Sequence, residues 1–351
     1  MEDKPKRSLK QYLMLVFNGF AMGTANVIPG VSGGTMAFIL GIYEELINSI
    51  REFASVNTLK LAIGFKIKKL INSLPWPFLL AVGIGVLVAI ASLAKVLSYA
   101  LDKHPVVTFA FFFGLIIASI LTVLKRVKKW SASSIVAVLV GTVIAYLIVT
   151  LVPVETPHTP LVLFLCGAII ICAMILPGIS GSFLLLILGQ YKHVLDAVNN
   201  RQIMTLFWVA AGCAVGLASF VHLLNWLFKK FHDLTVATLI GFMVGSLWKL
   251  WPWQEKSEVM VKIAKAVHRL DLNLPEQAAQ YQQFVNSGEP IKVKTLVTSN
   301  IFPENIDGTF WLAIGLAVIG FAVVMIMEKM ASKKPEDGEV EEKSDDREDI
   351  E

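Results

Sequence analysis

The sequence predicts an all-α polytopic membrane protein made of two inverted-topology repeats, each a broken, re-entrant helical hairpin followed by three transmembrane helices. Three observations predict it. The 351 residues are 55% hydrophobic and 17% charged, with a mean hydropathy of +0.66, more apolar sequence than a soluble domain of this length buries. A Gly/Pro-rich motif is written twice inside apolar sequence. It reads Pro29-Gly30-Val31-Ser32-Gly33-Gly34-Thr35 and then Pro177-Gly178-Ile179-Ser180-Gly181-Ser182-Phe183. Aligned at an offset of 148, positions 29 to 43 match 177 to 191 at eight of fifteen places. A second gapless match follows at an offset of 127, pairing Gly85 with Gly212, Thr108 with Thr235, Gly114 with Gly241 and Ser119 with Ser246.

The elements follow in order. A first broken hairpin occupies about 9–50, with apolar arms 9–27 and 35–50 on either side of the motif. The basic linker 51–74 accounts for the 21-residue difference between the two offsets. Apolar runs 78–101, 106–124 and 135–152 supply three spans, several near the roughly 20 residues that cross a bilayer as a helix. The first repeat is therefore 1–153. The second, 154–330, repeats the plan with a hairpin at about 160–198, spans at 206–228 and 310–327, and a third run between them. A polar insertion, 254–308, interrupts it. There 258–270 reads as a surface helix, Pro275, Pro290 and Pro303 break up the rest, and the segment reads as a connector, with a lid as the alternative. Residues 331–351 are acidic, lack an apolar period and read as a disordered tail.

Each repeat has three spans if its hairpin is re-entrant and five if it crosses fully. Both counts are odd, so the second repeat enters from the opposite face. Arg51, Lys60, Lys66, Lys68 and Lys69, the Lys125–Lys129 loop and Lys229-Lys230 all fall on one side. By the positive-inside rule that side is cytoplasmic, with both termini there and a cytoplasmic (inner) membrane as the location. The loops 102–105, 153–160 and 192–202 and the insertion fall on the other side. Trp76, Trp130, Trp226, Trp251, Trp253 and Trp311 near predicted helix ends suit an interfacial belt.

Composition excludes several classes. The net charge of +4 reflects cytoplasmic loops and does not point to nucleic acid. Cys166, Cys172 and Cys213 fit neither a zinc site nor a disulfide framework. No metal site and no cofactor are expected. The basic start Lys4, Lys6, Arg7 and Lys10 runs into an apolar segment without a small-residue cleavage pattern, which argues against a signal peptide.

The repeated motif carries the chemistry. Proline lacks an amide hydrogen and glycine is costly in a helix, so Pro-Gly-x-Ser-Gly ends one. Freed backbone groups in hydrocarbon must be satisfied by protein or a wet cavity. A helix restarting near Ser32 or Gly33 aims amides at the break, and the hydroxyls of Ser32, Thr35, Ser180 and Ser182 add donors, a combination suited to a phosphate or carboxylate. Two such breaks, one per half, point to the binding site of a transporter. The candidate binding residues are Pro29, Gly30, Ser32, Gly33, Gly34, Thr35, Gly178, Ser180, Gly181 and Ser182, with Asn26 beside the first copy and Lys95 in a span. The first copy, with Gly34-Thr35, is the better candidate for the head-group contacts. His222 stands at the repeat position of Lys95, and Glu44 and Glu45 follow the first hairpin's second break. These three are the candidates for proton or sodium coupling. Packing alone also favours small residues between membrane helices.

These residues resemble a bacterial family of polyprenyl-phosphate (undecaprenyl-phosphate) translocases, formerly a domain of unknown function. The match is carried by Asn26-Val27-Ile28-Pro29-Gly30-Val31-Ser32-Gly33-Gly34-Thr35, Gly41-Ile42-Tyr43-Glu44, Phe111-Phe112-Phe113-Gly114-Leu115-Ile116 and the second motif copy. It covers about 10–330, excluding the insertion and the tail. The resemblance implies a flippase that returns undecaprenyl phosphate from the outer to the cytoplasmic leaflet, recycling the lipid carrier of cell-wall (peptidoglycan) precursors. Two alternatives stand. One is a secondary transporter of small organic anions. The other is an integral-membrane lipid pyrophosphate phosphatase, an enzyme that places an Arg after the motif serine to neutralise a transferring phosphoryl. Here Gly33 and Gly181 stand at that place. The oligomeric state is not legible.

Overall fold

Long apolar runs become helices because hydrocarbon offers the backbone no hydrogen-bond partner outside its own segment. The computed structural model describes residues 7–27, 32–151, 153–154, 156–263, 266–287, 291–303 and 305–332. The first hairpin is α1 (Leu9–Val27), α2 (Gly33–Ile39) and α3 (Tyr43–Phe53). The linker folds as α4 (Val56–Ile63) and α5 (Ile67–Ser73). Then come α6 (Trp76–Lys103), α7 (Pro105–Leu124) and α8 (Ala132–Thr150). The second hairpin is α9 (Pro160–Ile175), α10 (Gly181–Ile187) and α11 (Tyr191–Asn199), followed by α12 (Ile203–Lys230) and α13 (His232–Ser246). The insertion carries β1 (Gln254–Ile263), β2 (Ala266–Asp271), α14 (Pro275–Asn286) and β3 (Ile291–Asn300), and α15 (Gly308–Ser332) closes the described chain.

Among the described residues, five helices are long and apolar enough to cross a membrane, within α6, α7, α8, α12 and α15. They coincide with the five apolar runs of the sequence. The expected further span of the second half is α13, which has only 15 residues. It gives way to a turn at 247–250 ahead of Pro252, a residue that disfavours helix at the position before it. α2 and α10 are seven residues each. They begin at Gly33 and Gly181 with Ser32 and Ser180 as N-caps, where the sequence places the restart of the helix.

The helices pack in pairs, α1 along α6 and α9 along α12, α7 along α15 and α8 along α13. Glycines set how closely they approach. A Cβ at Gly85 would lie 2.0 Å from the Val16 carbonyl oxygen, and one at Gly212 would lie 1.9 Å from that of Phe164. The same happens at Gly19 against Val82 (2.0 Å) and Gly167 against Val209 (2.2 Å). Each contact in one half recurs in the other at the offsets of 148 and 127. Gly320 against Phe111 and Gly141 against Thr238 repeat the 127 offset for α7 and α13. Valine at Gly85 or Gly212 is expected to cost each pair a comparable amount, roughly 1–3 kcal/mol of overpacking or more. Gly83, on the same α6 with nothing within 4 Å of an added Cβ, is the control. Thermal unfolding of the purified chain in detergent reads the difference. Equal stability of Gly85→Val and Gly83→Val contradicts the close approach.

The insertion departs from expectation. The described residues 258–263 and 266–270 form no surface helix. They lie in β1 and β2 of a three-stranded antiparallel sheet, order β2-β1-β3. The deciding pattern has period 2, with Val259 and Val261 buried on one face and Leu270 beside them, covered by Tyr281 and Phe284. The root of the sheet is pinned to the helices. Trp251 Nε1 donates to the Ile301 carbonyl (2.8 Å), Asn300 Nδ2 to that of Trp248 (2.7 Å) and Gln254 Nε2 to that of Lys249 (2.8 Å).

Candidate functional site

The two breaks meet. α9 ends at Ile175, which leaves carbonyls without helical partners. Side chains of the first copy take them up. Ser32 Oγ lies 3.0 Å from the Leu176 carbonyl and 3.3 Å from that of Met174. The Tyr43 hydroxyl donates to the Ile175 carbonyl at 3.3 Å. In the other direction, the Gly178 amide donates to Thr35 Oγ1 at 3.0 Å. Only glycine fits at position 34, where a Cβ would lie 2.2 Å from the Ile175 carbonyl oxygen. Gly178 has φ +85° and packs against the backbone of Phe242. Residues about 143 positions apart thus form one buried junction: Ser32 is 1% exposed and Thr35 fully buried.

The copies differ in what they leave open. In the first, Gly33 N donates to Asn26 Oδ1 (2.8 Å) and Gly34 N to Ser32 Oγ (3.1 Å), so its leading amides are engaged. In the second, Ser180 makes no capping bond to the backbone. Its hydroxyl pairs with that of Ser182 at 2.9 Å, and Ser182 is exposed. The first copy, expected to be the better candidate for the head-group contacts, is the more engaged of the two. Its hydroxyls are spent on the backbone of the second break. Pro29 and Gly30 lie outside the described residues.

Each hairpin tip is held by a different device. Gly41 and Gly189 turn the chain with φ +73° and +67°. At the first tip, Arg126 beyond α7 donates to the Ile39 carbonyl (3.3 Å) and lies 5.3 Å over the Phe38 ring, a cation at the end of α2. At the second tip, Val154 N donates to the Ile187 carbonyl (2.8 Å) and Thr156 Oγ1 to that of Leu188 (2.5 Å). Gln190, fully buried, reaches the Thr156 hydroxyl and the His158 ring. His158 stacks on His193 with ring centroids 4.0 Å apart, and His193 Nε2 is buried without a partner among the described residues.

Burial first, and the His158 ring second, hold the His193 pKa below the usual imidazole range, with Asp196 opposing. A lowered imidazole pKa makes the folded form the poorer proton binder. The tip therefore loses stability as pH falls below the unfolded value of about 6.5. The protection factor of the Val154 amide, its exchange rate corrected for the base-catalysed intrinsic rate, is expected to fall between about pH 7 and pH 5, and less so in His193→Gln. Equal protection in both proteins across that range contradicts the linkage.

The chain matches the family described as undecaprenyl phosphate translocase-like over positions 22–267. The chain belongs to that family. A polyprenyl-phosphate transporter of Vibrio cholerae serotype O1 is 37% identical over 323 residues, covering 92% of this chain and 98% of the relative. A polyprenyl-phosphate transporter of Staphylococcus aureus is 32% identical over 266 residues, covering 70% of this chain and 88% of the relative. No solved structure matches. With five candidate spans and relatives named transporters, this translocase-like chain is an integral membrane protein.

The remaining candidates of this family member fall apart from the junction. Lys95 and His222 are both exposed, on α6 and α12, and His222 Nδ1 is 2.7 Å from its own helix's Ala218 carbonyl. Among the described residues no hydrogen bond or ion pair joins either to the breaks. Glu45 pairs with Arg7 at 2.6 Å, and Glu44 lies 3.6 Å from His232 Nε2. His232 neighbours Asp233, whose carboxylate accepts the amides of Lys128 and Lys129. Sequence reasoning missed Tyr43, Arg126 and Lys249. Tyr43 is signalled only by its recurrence as Tyr191, and the two cations only by standing at the ends of apolar runs. Lys249 Nζ lies 5.4 Å over Phe183, the residue after Ser182.

Proposed function

We propose that the chain is a flippase for undecaprenyl phosphate, returning it from the outer to the cytoplasmic leaflet for reuse in cell-envelope synthesis, driven by a proton or sodium gradient. The observation that carries this reading is the junction of the two breaks. Family membership and the names of both relatives supply the substrate class. The lipid is a monophosphate on a long apolar chain, so a carrier needs a polar cradle in its interior while the chain remains in lipid. Ser32, Gly33, Gly34 and Thr35 with Gly178, Ser180, Gly181 and Ser182 are that cradle, supported by Asn26.

Two inverted repeats, 1–153 and 154–330, are the framework of the proposal. The recurring glycine contacts support the repetition. The hairpin tips support the inversion. The first tip lies against Arg126, before α8, and the second against Val154 and Thr156, after it, at opposite ends of one 19-residue candidate span. Rocking one repeat against the other would break the Ser32–Leu176 and Gly178–Thr35 bonds and free those groups for a phosphate.

Depletion of the protein from cells without a redundant transporter tests this. Undecaprenyl phosphate should accumulate at the outer face, and collapsing both ion gradients should produce the same accumulation in undepleted cells. An unchanged leaflet distribution on depletion overturns the reading. Release of inorganic phosphate from undecaprenyl pyrophosphate by the purified chain would point to an enzyme instead.

A further inference from the structure

Three cationic side chains at the edges of the bundle have polar side-chain partners. Arg7 has Glu45, Lys125 has Glu328 and Arg51 has Asn225. Lys249 differs. It is half-buried, and among the described residues no carboxylate lies within ion-pair distance. Its Nζ sits over Phe183, directly after the exposed Ser182 of the second break. Arg126, which also lies over a ring, differs in surroundings: it is spent on the Ile39 carbonyl and has Glu44 and Glu328 near enough to act on its charge. A half-buried cation without an ion-pair partner carries a desolvation cost that a bound anion would offset.

Trp248, the preceding residue, faces a different environment. It lines an apolar groove of about 470 Å³ with Phe113, Tyr146, Trp251 and Phe302. The rings are already in contact in pairs, Tyr146–Trp248 at 5.2 Å, Phe113–Trp251 at 5.7 Å and Trp251–Phe302 at 5.9 Å. Trp248, Tyr146 and Phe302 remain substantially exposed. The root of the inserted sheet fixes the wall, through the bonds of Asn300 and Trp251 described above. Two consecutive residues of one turn therefore differ in what they meet: Trp248 lines the aromatic groove, and Lys249 lies over Phe183 with no ion-pair partner among the described residues. That pairing fits an amphiphile with an anionic head and an unsaturated hydrocarbon tail, and the volume is within the range of small-ligand sites.

We propose that Lys249 and this groove form the loading site for the polyprenyl monophosphate, with the phosphate on Lys249 and the Ser182 hydroxyl and the first isoprene units against Trp248, Trp251 and Tyr146. The proposal rests on the transport reading above and places its first binding step at the second break, on the side of the inserted sheet. The groove is too small for a whole undecaprenyl chain, so the rest of the tail stays in lipid.

Equilibrium binding of radiolabelled undecaprenyl phosphate to the full chain in phosphatidylcholine nanodiscs tests it. Lys249→Gln should weaken binding at least about tenfold, about 1.4 kcal/mol. Lys249→Arg should stay within about threefold of the parent, which separates loss of charge from loss of fold. Undecaprenol, which lacks the phosphate, should bind both proteins alike. Trp248→Ala should shrink the preference for undecaprenyl over farnesyl phosphate. Equal affinity in Lys249→Gln and the parent overturns the loading site. Displacement by phosphatidylglycerol as effective as by undecaprenyl phosphate also overturns it, since the site would then be a general anionic-lipid contact. If Gly34→Ser abolishes transport while Lys249→Gln binds normally, the loading site falls and the transport reading stands. If the parent binds no undecaprenyl phosphate, both fall.

Discussion

Gly34→Ser is expected to stop lipid transport while leaving the protein inserted in the membrane. The substitution writes into the first motif the residue that the second carries at Ser182. The two positions are equivalent in sequence and opposite in surroundings. Ser182 is exposed, whereas a Cβ at Gly34 would lie 2.2 Å from the Ile175 carbonyl oxygen. That oxygen belongs to backbone at the end of α9 and has little room to move. α2 and α9 must separate, and the contacts of Ser32, Thr35 and Tyr43 across the junction go with them. Overpacking alone costs roughly 1–3 kcal/mol. Uptake of undecaprenyl phosphate into proteoliposomes should drop more than about tenfold, a rise of about 1.4 kcal/mol or more in the effective barrier. Gly83→Ser, where nothing lies within 4 Å, is the matched control. Transport by Gly34→Ser at the rate of Gly83→Ser contradicts the junction.

Thr35→Val is expected to be nearly as damaging by another route. Valine keeps the volume and removes the oxygen that accepts from the Gly178 amide. Both residues are buried, so the amide is left without a partner at a cost of about 1–3 kcal/mol. Gly178 holds a left-handed conformation at φ +85°, and losing its tether frees the tightest turn of the second break. The thermal midpoint and the transport rate should both fall in Thr35→Val and largely recover in Thr35→Ser. If Thr35→Val behaves like the parent in both measurements, the hydroxyl has no role in joining the breaks.

Much of this architecture is legible in the chain because membranes impose simple rules. The five apolar runs became the five candidate spans, and Ser32 and Ser180 cap helices that start where the sequence restarts them. The 127 offset pairs Lys95 with His222, and both are exposed. It could not say which environment, because an offset between repeats relates positions without stating which face of a helix meets a neighbour. The contact between copies was out of reach for the same reason. Ser32, Thr35 and Tyr43 bind backbone carbonyls and amides of the other half, and backbone partners leave no trace in side-chain identity. The insertion failed differently. Its mixed charges masked a short alternation at Val259 and Val261, and a helix was expected where two strands form. Arg126 and Lys249 were hidden by position, since a cation at the end of an apolar run reads as a loop charge until the hairpin packed beside it is seen.

The most direct test of the central claim, that the paired breaks are one phosphate cradle, is the position of the phosphorus in a structure of the full chain bound to undecaprenyl phosphate in nanodiscs. The account predicts a phosphate within hydrogen-bond distance of the breaks, at Ser180 and Ser182 or between them and Ser32 and Thr35. A phosphate bound only elsewhere, against exposed Lys95 or His222 for example, with the junction of Ser32 and Leu176 unchanged, would contradict it.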